Sequence, residues 1–351
     1  MSLLNKDISI DYPICAANGA ISQSTFDDID QQAAQLLGHD QNYQQLSAGS
    51  FRGRFTTADL SGDAWLFVEE TNQALAQHCH VPADKISFLF LLGPDQWCRV
   101  EQDEFSSDDL AIMTPQSSVF VRCPAETTFC VITLDSQRLA PTIGDLPDAG
   151  SGAHRLESRQ LASTVGTLRL LVGTFLAIAA ASDNEIDDAF ACLHLKEAVL
   201  STLALAFSAG SRMRPAAPTP LYAEARRLIE TNLSDVNVTQ LCLALGTSRR
   251  TLEDVFRRQL GVGPSRFIKA MRLNQIRRVI TADCHQRTVA DIAAEWGIWH
   301  PSHFTESYSA MFGELPSQSR RGQSAAAVSR LPVPPMPTSL VPSIPPRLIA
   351  R

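Results

Sequence analysis

The chain contains eight cysteines among 351 residues, and no two of them stand as C-x-x-C or beside histidines at ligand spacing. That excludes a disulfide framework and a structural zinc site, and predicts reduced thiols used mostly as small core residues. The start, MSLLNKDISIDYPI, lacks a basic segment followed by an apolar run, so no secretory signal is visible. Long apolar runs are also missing. The most apolar stretch, Leu170 to Ala181, is expected to be too short to span a bilayer and has Arg169 at its edge. Residues 322–351 contain no acidic residue and seven prolines, the composition of a disordered or polyproline-like tail. These absences predict a cytoplasmic protein with no membrane partner and no bound cofactor.

The length is enough for two domains, each with its own core. Charge divides them. Residues 1–215 carry 13 Lys/Arg against 27 Asp/Glu, a balance of −14, whereas residues 216–321 carry 14 against 10, a balance of +4. An acidic front beside a basic rear fits a sensor joined to a reader of nucleic acid.

Along the front, residues 1–24 read as a loose lead-in and Asp27 to Leu37 as a short helix. Short β-rich runs follow at 51–57, 64–68, 86–92, 97–100, 110–113, 118–121 and 128–134, separated by Gly, Pro, Asp and Ser. The pattern predicts a small barrel or sandwich. Two apolar helices are expected at 159–181 and 186–207, broken by Ser182-Asp-Asn184. They serve either to cover the barrel's open side or to form a homodimer interface across 159–207. A Gly/Ser/Pro/Ala linker at 209–220 ends the front domain, 1–208.

The stretch from Asn237 to Arg321 says nearly the same thing twice. Asn237 and Gln240 have capping-box spacing ahead of Val238, Leu241, Cys242 and Leu245, which share one helical face. Gly246, Ser248, an apolar set at Leu252, Phe256 and Leu260, then Gly261 and Pro264-Ser265 complete the first unit. Thr288 and Asp291 repeat the cap. Val289, Ile292, Ala293, Trp296, Gly297 and Ser302 follow, then Phe304, Tyr308, Phe312, Gly313 and Pro316-Ser317. Each unit reads as two short helices about a glycine-containing turn, and tandem units of this kind read DNA.

Residues 221–321 resemble the DNA-binding domain of the AraC/XylS family of bacterial transcription regulators. The resemblance rests on GTSRRTLEDVFRRQLGVGPSRFIKAMRLNQIRR and TVADIAAEWGIWHPSHFTESYSAMFGELPS. The second segment is most similar to the branch typified by the ethanolamine-operon regulator, as, more loosely, are residues 43–55 and 68–79. Departures are Ile298, where that branch has Phe, Pro301 early in the second reading helix, and the missing aromatic before the last arginines. The resemblance implies an α+β protein: an N-terminal small β-barrel, cupin-like sensor with a helical pair, and a C-terminal all-α tandem helix-turn-helix domain. It also implies a transcription regulator, more often an activator, whose partners are double-stranded DNA over two successive major-groove segments, RNA polymerase and a small-molecule effector. Ethanolamine or a cobalamin become effectors to test.

By match to the family's motif, Arg250, Glu253 and Asp254 take base-reading positions, while Arg249 and Arg257 suit phosphate. In the second unit Ser302, Thr305 and Glu306 fall on the reading face, flanked by Trp299, His300 and His303. The family often has Arg where Glu306 stands, which implies looser sequence demands there. The rival reading is a metal- or thiol-dependent enzyme acting on DNA. His78-Cys79-His80 is its best motif, yet no Glu or further His follows at useful distance, and neither Cys242 nor Cys284 has a catalytic partner pattern. No catalytic residue and no metal site are expected.

Overall fold

A computed structural model describes residues 21–322 apart from 37–38, 61, 144–145, 182–184, 208–210, 217–218 and 283–286. The expectations for residues 1–20, for Ser182–Asn184, for Cys284 and for the tail beyond Gly322 lie outside the described residues.

The front domain begins with β1 (Ile21–Phe26), α1 (Ile29–Ala33), β2 (Asp40–Gln45), β3 (Gly53–Asp59), β4 (Ala64–Thr71), β5 (Leu75–His80) and β6 (Lys85–Leu91). It continues with β7 (Trp97–Val100), β8 (Asp103–Ser106), β9 (Ala111–Met113), β10 (Ser118–Cys123), β11 (Thr127–Asp135), α2 (Ser136–Ile143) and β12 (Ala153–Glu157). The helical pair α3 (Leu161–Ala181) and α4 (Glu185–Ala206) and a last strand β13 (Arg212–Pro215) close it. Every strand pair is antiparallel. The strands form an eight-stranded sheet, β1-β3-β4-β11-β6-β9-β12-β13, and a five-stranded sheet, β2-β5-β10-β7-β8.

The expected barrel is corrected to an open two-sheet sandwich. Phe67, Leu89 and Val131 of the larger sheet meet Cys79, Val100 and Val121 of the smaller one in a shared core. The alternate residues Leu66, Phe88 and Ile132 face outward, where Val165, Leu168 and Val172 of α3 and Val199 and Leu203 of α4 cover them. Both faces of the central strands are therefore apolar. A continuous apolar run such as residues 88–91 identifies such strands but does not say whether the sheet closes.

Three further expectations change. Ile21–Phe26, which begins inside the lead-in expected over 1–24, pairs with β3 from Ile21↔Ala58 to Phe26↔Gly53. Within the expected linker, Arg212–Pro215 is an edge strand with Met213 opposite Leu156. By length and composition, Leu161–Ala180 and Ala189–Ala206 are each apolar enough to cross a membrane, contrary to the limit drawn at Leu170–Ala181. One face of each packs on the sheet. The other leaves Leu170 and Phe190 at 70% and 65% exposure.

The rear domain comprises α5 (Pro220–Thr231), α6 (Val238–Ala244), α7 (Arg249–Leu260), α8 (Pro264–Ala282), α9 (Val289–Glu295), α10 (Pro301–Phe312) and α11 (Pro316–Gly322). A single core runs through both units, from Leu241, Leu252 and Phe256 to Phe304, Tyr308 and Phe312, and α8 supplies its middle with Phe267, Ile268, Met271 and Ile276. Leu46, Ala76 and Phe120 of the front domain join this core.

Candidate nucleic-acid interface

Each unit's geometry follows from its caps. The Asn237 side chain accepts from the Gln240 amide at 3.0 Å, and Gln240 Oε1 accepts from the Asn237 amide at 2.9 Å. Thr288 and Asp291 repeat the exchange, the Asp291 amide donating to Thr288 Oγ1 at 3.1 Å. Each box satisfies amides that a helix start leaves open. The turns that follow hold Gly246 and Gly297 at φ of 59° and 74°, a left-handed conformation that favours glycine. At Gly297 there is a second demand. A Cβ there would lie 2.3 Å from the Ser234 carbonyl oxygen, so the second unit's turn rests on the loop that enters the first.

In the first unit Ser248 caps α7 by accepting from the Thr251 amide at 3.1 Å. Arg249 and Arg250 therefore sit in the first turn, both exposed, where the positive end of the helix also attracts phosphate. Leu252, Phe256 and Leu260 are buried, which turns Arg250, Asp254 and Arg257 to solvent. Glu253 is half-buried and lies 3.5 Å from Arg257, an exposed ion pair of small energetic weight. The carboxylate still lends that arginine a local counter-charge.

In the second unit Pro301 opens α10 and His300 stands at the cap position, with no side-chain cap bond. Phe304, Tyr308 and Phe312 stack inward with ring centroids 5.6 and 4.8 Å apart. Ser302, His303, Thr305 and Glu306 are exposed on the other side, and Trp299 is 73% exposed. The Thr305 hydroxyl donates to the Pro301 carbonyl at 3.0 Å, leaving its lone pairs to accept. The rings of His300 and His303 meet edge-on at 6.2 Å. The structure thus places Arg249, Arg250 and Asp254 on the exposed early turns of α7, with Glu253 half-buried and Arg257 near the helix end, and Trp299, His300, Ser302, His303, Thr305 and Glu306 exposed at the start of α10.

Sequence reasoning missed a set of polar residues on α8. Arg272 donates to the carbonyls of Leu233, Ser234 and Val236 at 2.8, 3.0 and 2.9 Å, fixing the loop into the first unit. Asn274 is buried, and Arg277 and Arg278 are ion-paired. The available signal was that these four polar side chains interleave with Leu273, Ile276 and Ile280, which are core.

Among the described residues of the front domain one carboxylate is fully buried, Glu69, which accepts from Gln32 Nε2 at 2.9 Å, Tyr43 Oη at 2.8 Å and Gln77 Nε2 at 3.3 Å. Burial pushes its pKa up to about 7. Glu69 borders a cavity of about 20 Å³, water-sized, with His39, Gln41, Phe55 and Phe67 also in its lining. His78 lies on β5, in the smaller sheet. Burial and the charge of Arg226 lower it to about 4. His80 pairs with Ser118 Oγ at 3.1 Å, and among the described residues no group of three His, Cys, Asp or Glu is placed to hold a metal ion.

Two capped helix pairs with exposed reading helices, joined through one core, define a tandem helix-turn-helix DNA-binding domain. Residues 241–322 match the family model described as "Helix-turn-helix domain". A XylDLEGF operon transcriptional activator from Pseudomonas putida is 31% identical over 104 residues, 29% of this chain and 31% of that protein. The transcriptional regulator GbdR from Pseudomonas aeruginosa is 30% identical over 105 residues, 30% of this chain and 28% of that protein. A solved AraC-type regulator from Chromobacterium violaceum is 29% identical, covering 30% of this chain and 93% of that one, with a TM-score of 0.28. The rear domain is a helix-turn-helix domain of the AraC/XylS type. The matched part spans about a third of the length of the curated relatives.

Proposed function

We propose that the protein is a sequence-specific transcription regulator, an activator, in which the rear domain reads DNA and the front domain responds to a small molecule. The observation that carries this reading is the pair of N-capped, solvent-facing helices α7 and α10 held by one core. Arg250, Glu253 and Asp254 read bases in one major-groove segment, with Arg249 and Arg257 on phosphate. Ser302, Thr305 and Glu306 face the next segment, flanked by Trp299, His300 and His303. An acid at 306 repels phosphate, so the second segment is read less strictly.

Residues 1–208 act as the sensor, 221–321 as the reader, and RNA polymerase is the downstream partner in the cytoplasm. No enzymatic step is assigned. The resemblance to the ethanolamine-regulator branch makes ethanolamine and cobalamins the first effectors to try. The exposed apolar face of α3 and α4 is the surface for a second copy, because Leu170, Ile178, Phe190, Leu193 and Leu205 remain uncovered there. Genome-wide mapping of bound sites tests the proposal. Discrete sites upstream of a small set of genes are expected, whereas uniform or absent binding would contradict it.

A further inference from the structure

The front domain packs on the rear domain at two places, on α5 beside the first unit and on α8 and the end of α10 at the second. Beside the first unit, Phe120 of β10 packs against Tyr222 of α5, a helix that itself packs on α7, with ring centroids 5.8 Å apart, and the Arg226 guanidinium lies over the Phe120 ring at 4.9 Å. Thr219, at the start of α5, donates to Gln102 Oε1 at 2.7 Å and accepts from Gln259 of α7 at 3.1 Å.

At the second unit the contacts are polar and more numerous. Asn274 of α8 treats the end of β2 as a neighbouring strand would. Its Oδ1 accepts from the Gln45 amide at 3.2 Å, and its Nδ2 donates to the Gln45 carbonyl at 3.1 Å. Gln45 Nε2 donates to the Met311 carbonyl at 2.7 Å, and the Gly49 amide reaches the carbonyls of Ala310 and Met311 at 3.0 and 3.1 Å. Those carbonyls belong to the last turn of α10, where a helix leaves its acceptors open. One turn further along α8, Arg277 meets Asp28 at 2.7 Å and Glu314 at 3.4 Å. Arg278 takes Asp30 in a two-nitrogen fork, at 2.9 Å from Nε and 2.8 Å from Nη2, and also donates to the Tyr43 carbonyl.

None of these groups belongs to the reading patches, whose residues other than the half-buried Glu253 stay exposed while the domains are docked. The docked arrangement therefore leaves the DNA-facing helices free and restrains something else. We infer that the front domain is a brace that fixes the two helix-turn-helix units at one spacing, through a clamp of Asp28, Asp30 and Gln45 on Asn274, Arg277 and Arg278 of α8. The clamp sets how strictly the protein demands the distance between its two half-sites, and leaves the reading within each half-site unchanged. Planar, two-point pairing suits this task, because it fixes orientation as well as distance. The inference rests on the proposal that one protomer reads two successive segments.

The two aspartates offer a clean test. Asp28 also caps α1, its Oδ1 accepting from the Asp30 and Gln31 amides while Oδ2 meets Arg277. The double change Asp28→Asn with Asp30→Asn keeps a capping oxygen and removes both charges from the clamp. Full-length protein and this variant are titrated by gel shift on a selected site, on the same site with one base pair inserted between half-sites, and on the first half-site alone. One base pair turns the second half-site by about 34° and moves it about 3.4 Å. The wild type should lose about tenfold on the insertion, the variant no more than about threefold, and both should bind the single half-site equally. Arg278→Asp should behave as the double variant does, and adding Asp30→Arg to it should restore the wild-type penalty. A double variant that keeps the full tenfold penalty overturns the brace. A wild-type footprint over one segment only overturns both the brace and the two-segment reading beneath it.

Discussion

Arg250 and Arg257 lie two turns apart on α7, both exposed, and the proposed reading gives them different tasks. Arg250 stands in the first turn, where a major-groove helix meets base edges, and Arg257 stands near the C-terminal end beside Glu253. Arg250→Ala should cost about 1–3 kcal/mol on the best site and relax preference at one or two base pairs. Arg257→Ala should weaken all sequences alike and lower the salt slope by about 1. Identical behaviour across a library of sites would contradict the division.

The front domain carries a second residue-scale test. Glu69, raised to about 7 by burial, keeps in the folded state a proton that the unfolded chain releases near pH 4.3, so acidification from 7 toward 4.5 favours folding. His78, lowered to about 4, stays neutral when folded while the unfolded chain takes a proton near 6.5, so acidification from 6.5 toward 4 disfavours folding. The two trends oppose each other. Glu69→Gln should leave a protein whose urea midpoint falls from pH 6.5 to 5. His78→Gln should leave one whose midpoint rises from pH 7 to 5. Flat profiles in both variants would show that neither group is linked to folding.

Helix α8 sets the scale of the next step. Its 19 residues at about 1.5 Å each give a strut of roughly 28 Å, and the flanking half-widths bring the reading helices toward the roughly 34 Å of one DNA turn. Inserting about 5 bp between half-sites turns one to the far side of the duplex. Affinity should then fall to that of one half-site. A gel shift showing equal binding would mean that only one unit reads DNA.

Legibility in the sequence varied element by element, for physical reasons. The capping boxes at Asn237 and Thr288, and the apolar faces of α6, α7, α9 and α10, were readable because every partner lies within a few residues. Strands β1 and β2 were not. Ile21–Phe26 and Asp40–Gln45 are mostly polar, and their pairing partners lie far along the chain. The clamp was invisible for the same reason. Arg277 and Arg278 look like solvated helix charges until residues some 250 positions earlier are folded against them.

For the molecule as a whole, one core joins the DNA reader to three residues of the front domain, and the helical pair points its remaining apolar face away from the sheet. Changing Leu170→Glu together with Phe190→Glu should leave the fold intact, since both side chains are largely exposed, and shift sedimentation from dimer to monomer. A wild type that sediments as a monomer at tens of micromolar would remove the proposed contact between copies.

The central claim is that a single protomer reads two unlike, successive major-groove segments on one face of DNA. Site selection from random duplexes with the full-length protein, followed by hydroxyl-radical footprinting of the winners, tests it most directly. The account predicts a non-palindromic site with two protected segments about 10 bp apart on one face, the one against α7 more sharply defined. A palindrome with one segment protected per protomer, or no enrichment above random DNA, would contradict it.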